Sequence, residues 1–208
     1  MSIRQSDVTT GLLPDIPYIA CDMIWKLFSL KRTQTVPHDL YGSVVAQSRL
    51  PAFYEQLQIA DSVAGRFDML SLHLFLLSNM LTKVEDPRAQ PLNQEIFDAF
   101  TDNIDDALRQ LGVGDTSVPK RKKRLVAQFY GHIANLSPAL ENGDTERLSR
   151  EVNKRFYDDG NEKCASRLAR YLIEARNTLH AIPFDKILRG NLNWPEPINV
   201  SKTKQIAD

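Results

Sequence analysis

From Asp39 to about His180, apolar residues recur at intervals of three and four, the spacing that places them on one face of a helix. No run shows the strict alternation of a half-buried strand. The pattern predicts helices near 39–49, 51–58, 62–84, 91–111, 118–140, 144–157 and 162–180. Several of their ends are marked. Pro51 breaks the first helix and opens the second, Gly112 and Gly114 stop the fourth, and Ser117 with Pro119 caps and starts the fifth. The expected fold is therefore all-α, a single compact bundle of about six or seven helices over 36–182. Residues 1–35 form an N-terminal extension, and 183–208, with Pro183, Pro195 and Pro197, read as an extended or disordered tail. No internal repeat is present.

The segment 62–84 is the most informative. At 100° per residue, Asp68, Ser71, Ser78 and Asn79 fall on one stripe, with Phe75 in its middle, while Leu70, Leu74, Leu77 and Leu81 lie elsewhere. A helix apolar around most of its circumference belongs at the centre of a bundle. Arg66 and His73 fall on its apolar side. A buried guanidinium without a carboxylate costs several kcal/mol, so Arg66 is expected to pair with Asp61, Asp68 or Asp115. His73 reads as a satisfied core histidine, because no nucleophile accompanies it.

The segment 91–111 is amphipathic, with Leu92, Ile96, Phe100, Ile104, Leu108 and Leu111 inward and Glu95, Asp98, Asp102, Asp105 and Asp106 outward. Carboxylates on a solvent face do not form the concave site that acid and base chemistry requires. The next helix begins with the one dense basic run, Lys120, Arg121, Lys122, Lys123 and Arg124. Cations in a first helical turn oppose the dipole, so something offsets them. The preceding acidic face is one candidate, and a phosphate-bearing partner such as ribosomal RNA or anionic lipid is the other.

Composition narrows the function. The 208 residues carry 26 basic and 26 acidic side chains, and this zero balance argues against a protein that binds nucleic acid over its whole surface, DNA included. Cys21 and Cys164 form no metal-ligand spacing and suit a reducing compartment, so a cytoplasmic location is expected. No stretch reaches the roughly 20 apolar residues of a membrane span. Met23 to Arg32 is short, apolar and basic, and reads either as a peripheral contact with the inner-membrane surface or as a segment docked on the body. Met23 is also a plausible translation start. Phosphate loops, GxSxG, HExxH and DDxxD patterns are all missing, so no catalytic residue, metal or cofactor is assigned.

Three blocks carry more than the periodicity does: Arg49-Leu50-Pro51-Ala52-Phe53-Tyr54; Asp61-Ser62 with Gly65-Arg66-Phe67-Asp68-Met69-Leu70 and Leu72-His73; and Leu108 to Asp115 followed by Val118-Pro119-Lys120. With Phe129-Tyr130-Gly131 after them, their order and spacing resemble the ubiquinol-cytochrome c chaperone family, over roughly 41–140 and more weakly to His180. The absence of an Arg-rich, acid-poor transit segment suggests a bacterial member. The resemblance implies a non-enzymatic protein that binds newly made cytochrome b and aids assembly of the cytochrome bc1 complex, ubiquinol-cytochrome c reductase. Mitochondrial members of the family also work with a second assembly factor and contact the ribosome.

A chaperone for a membrane subunit needs an exposed groove rimmed by polar residues. Phe53, Tyr54 and Phe75 are the candidate aromatics for it. Arg49, Arg66, Phe67 and His73 join them as candidate client contacts from the same motifs, with Lys120 to Arg124 as an electrostatic contact. Two other readings stay open: an RNA- or ribosome-binding helical module using that basic run, and an all-helical enzyme holding a lipid or quinone-like ligand between Arg66 and His73.

Overall fold

The computed structural model describes residues 35–197. Its elements are α1 (Val36–Ser48), α2 (Pro51–Glu55), α3 (Val63–Leu81), α4 (Ala89–Gln110), α5 (Val118–Glu141), α6 (Thr145–Phe156), α7 (Glu162–His180) and α8 (Phe184–Ile187). Among the described residues there is no strand, and the fold is the expected all-α bundle. Most helix boundaries lie within three residues of the predicted ones, because they are fixed by local chemistry. Pro37 starts α1 three residues early, and Pro51 and Pro119 sit in the first turns of α2 and α5. Ser62, Asp144 and Asn161 cap α3, α6 and α7 by accepting from the backbone N–H groups of Gly65, Arg147 and Cys164.

Fifteen of the nineteen residues of α3 are buried, so it is the axis of the bundle. It touches α1, α4, α5 and α7, while α4–α5, α5–α6 and α6–α7 pack as successive neighbours. The N-terminus of α3 depends on Gly65. A Cβ there would lie 2.1 Å from the carbonyl oxygen of Ala60, so the loop entering the helix closes only over a glycine. The polar stripe of α3 is buried too: Asp68 and Asn79 face Arg155 of α6 and Glu141 of α5.

Beyond Ile182 the described part of the tail is one short helix followed by the expected extended stretch, which is docked on the body. After α8 the chain runs along α1 and is held by side chains rather than by a backbone ladder. Trp194 Nε1 donates to Ser43 Oγ at 3.0 Å, and Gln47 Nε2 donates to the Pro195 carbonyl at 3.0 Å. Gly190 lies against Asp39, and Pro197 is buried. A proline-rich segment cannot continue a helix, but one large aromatic is enough to anchor it in an extended form. The segment Met23 to Arg32, with its expected membrane or body contact, lies outside the described residues, as does the last part of the tail.

Candidate functional site

Three of the residues singled out from sequence meet at one edge of the bundle. Arg49 caps α1, Tyr54 projects from α2 and Arg66 from the first turn of α3. Tyr54 donates its hydroxyl to the Ser48 carbonyl at 2.8 Å, which fixes the ring, and the Arg66 guanidinium lies 5.2 Å from the ring centroid. Arg66 forms a two-pronged ion pair with Asp61, Nη2 to Oδ2 at 2.9 Å. Of the three carboxylates expected for Arg66, Asp61 is the one it meets. Asp68 is instead bound by Arg155, at 2.6 and 2.7 Å to its two oxygens, and Asp115 pairs with Arg109. Burial pushes the Tyr54 hydroxyl up to about 12 against the opposing pull of Arg66. Burial lowers Arg49, with the Arg66 charge adding to that effect. The edge is thus a partly exposed aromatic plate between two guanidinium groups.

Phe53, Phe67 and His73 do not face solvent, so Phe53 does not line an exposed groove, Phe67 and His73 are not surface contacts, and His73 is the satisfied core histidine that its surroundings predicted. Phe53 is completely buried, with ring centroids 5.3 Å from His73 and 5.0 Å from Tyr171. Phe67 stacks on Phe100 at 6.2 Å. His73 is fully enclosed, and its two nitrogens are both engaged: Nδ1 donates to the Met69 carbonyl at 2.7 Å, which leaves Nε2 to accept from the Tyr171 hydroxyl at 2.7 Å. Gln47 donates to the same hydroxyl at 3.0 Å, and Trp194 closes the node with its ring 5.3 Å from the imidazole. Burial holds the imidazole down at about 4, so it is neutral at physiological pH. The short helix carrying Phe53 and Tyr54 sends one aromatic inward and the other to the edge, a division that a five-residue segment cannot reveal from its pattern.

Phe75 is also buried. It lines a narrow cleft with Asp68 and Ser71 of α3, Phe129 and Ile133 of α5, and Arg155 of α6. Ser71 Oγ, buried on this wall, has no hydrogen-bond partner. Neither Arg66 nor His73 reaches this cleft, and the two stand in separate surroundings. Among the described residues no group of His, Cys, Asp or Glu side chains could hold a metal ion.

Within the basic run, Lys122 pairs with Asp105 of α4 at 2.8 Å, so the acidic face offsets one of the five cations. Lys120, Arg121, Lys123 and Arg124 are exposed. Tyr171, Gln47, Arg155 and Trp194 complete these clusters and were not anticipated. Only Trp194, a lone large aromatic in a polar and proline-rich stretch, carries a signal that could have been read.

A family model described as ubiquinol-cytochrome C chaperone matches residues 55–194. The chain belongs to that family. The match ends on Trp194, the residue that anchors the described tail. The chaperone is also similar to a solved structure described as the Cbp3 homolog from Brucella abortus. It is 33% identical to that protein with a TM-score of 0.71, over 80% of this chain and 91% of the other. No curated protein matches. Among the described residues of the chaperone, no helix is long and apolar enough to cross a membrane.

Proposed function

We propose that this chaperone binds cytochrome b, newly made or newly inserted, and holds it during assembly of ubiquinol-cytochrome c reductase without catalysing a reaction. Membership of the chaperone family over 55–194 is the observation that supports the reading. The edge formed by Arg49, Tyr54 and Arg66 is the proposed contact. Guanidinium groups offer donors to the carbonyls and carboxylates of an incompletely assembled polypeptide, and the Tyr54 ring offers a flat apolar face beside them. Of the seven client contacts expected from sequence, Arg49, Tyr54 and Arg66 are the ones that are not buried.

The test is co-purification from a respiring bacterial host, with cytochrome b followed by mass spectrometry. An Arg49→Ala, Tyr54→Ala variant that keeps its melting temperature should lose cytochrome b, whereas unchanged recovery would remove this edge from the proposal. Failure of the wild type to retain cytochrome b would remove the client. The exposed cations at Lys120, Arg121, Lys123 and Arg124 favour a second reading, contact with the ribosome. On that reading, ribosome recovery falls steeply between 50 and 200 mM salt.

A further inference from the structure

The solvent face of the α4–α5 hairpin carries features that the fold itself does not use. Tyr130, 55% exposed, is the one large hydrophobic residue among those described that stands in solvent, 5.9 Å from the half-buried Phe97 of α4. Beside it, Gly131 sits well inside a helix of 24 residues, where glycine is unfavourable, yet a Cβ at this position would meet nothing within 4 Å. Packing within the chain therefore gives no reason for a glycine. Close approach of another backbone would.

Charge defines that second body. The contacts Phe97–Tyr130 and Asp105–Lys122 show that α4 and α5 run antiparallel. Along this face α4 exposes Asp98, Asp102 and Asp106, while α5 exposes Lys120, Lys123 and Arg124. Among the described residues, none of these three cations forms an ion pair. A two-fold axis parallel to the hairpin, between its helices, lays α4 of one copy over α5 of the other. Carrying the same antiparallel register across that axis brings Asp102 and Asp106 of each copy close to the levels of Arg124 and Lys120 of the other, and brings Tyr130 and Gly131 to the level of Phe97 and Ile96. A face acidic on one helix and basic on the next is complementary to itself, as a two-fold contact requires.

We propose that the α4–α5 hairpin is the interface of a homodimer, with Tyr130 as its anchor and Gly131 as the point where the partner's helix approaches. The contact uses none of the residues of the Arg49–Tyr54–Arg66 edge. Sedimentation equilibrium of the full chain tests it. A species of twice the 23.6 kDa monomer mass is expected at 50 mM salt, with a dissociation constant at least about tenfold higher at 500 mM.

Two charge-reversed variants decide the geometry, both altered only at exposed positions and checked for folding by circular dichroism. Asp102→Lys with Asp106→Lys, and Lys120→Glu with Arg124→Glu, should each be monomeric alone. Mixed together they should form a heterodimer, because each reversed helix then faces an opposite charge. A monomeric wild type at 200 μM protein and 50 mM salt, dimerisation unaffected by either reversal, or failure of the mixture to associate would each overturn the proposal.

Discussion

Replacing Arg155 by Met should destabilise the chaperone in a manner that depends on pH. Asp68 is 6% exposed and accepts two hydrogen bonds from Arg155, whose own side chain is 34% exposed. Removing one partner of a fully buried ion pair costs about 3–5 kcal/mol, since the other charge stays buried. One end of this pair reaches water, so about 2 kcal/mol is the expected loss at pH 7, or roughly 4–8 °C in melting temperature for a domain of this size. Burial raises the Asp68 carboxyl above its usual range, and Arg155 partly opposes that rise. Without Arg155 it rises further. A carboxyl raised in the folded state binds its proton more tightly there than in the unfolded chain, so the folded form gains on acidification. The deficit of the Arg155→Met variant should therefore shrink between pH 7 and pH 5, and adding Asp68→Asn should recover most of it at pH 7. Urea unfolding at the two pH values measures this. A loss below about 0.5 kcal/mol, or one identical at both pH values, would refute the account of a strained, partly desolvated pair.

Three further outcomes follow from the same structure. Gly65→Ala forces a Cβ against the Ala60 carbonyl and should cost about 1–3 kcal/mol in urea unfolding. His73, held down at about 4, loses stability for the fold as pH falls from its unfolded value near 6.5. That loss reaches about 2 kcal/mol by pH 5, and the imidazole C2 proton resonance should stay at its neutral position from pH 7 to 5. Trp194→Ala should release the described tail, seen as faster amide hydrogen exchange over 190–197, with a stability loss of about 2 kcal/mol.

The fold was largely legible because its signals are local: proline at helix starts and the apolar circumference of α3. The ion pair of Arg66 with Asp61 was within reach for the same reason, as the two lie five positions apart. Asp68 and Arg155 are 87 positions apart, and His73 and Tyr171 are 98. No pattern in a single sequence carries such pairings, and the polar stripe on α3 reads equally as solvent or as contact with another helix. Phe53 and Phe75 were misplaced on the surface because an aromatic residue beside polar neighbours looks like the lining of a groove. Here the polar neighbours of Phe75 face other helices, with Asp68 bound by Arg155 and Asn79 by Glu141. The tail was underestimated since proline content excludes a helix but says nothing about docking.

The anchoring of Trp194 on Ser43 also orders events during synthesis, since the two residues are separated by 151 positions. Until Trp194 docks, the α1 side has no cover, and Gln47, His73 and Tyr171 remain open to water there. The node closes only when Trp194 has left the exit tunnel. The last step in maturing this chaperone is therefore a slow, long-range closure, and a ribosome stalled after α8 would hold a nearly complete bundle with its aromatic centre still accessible.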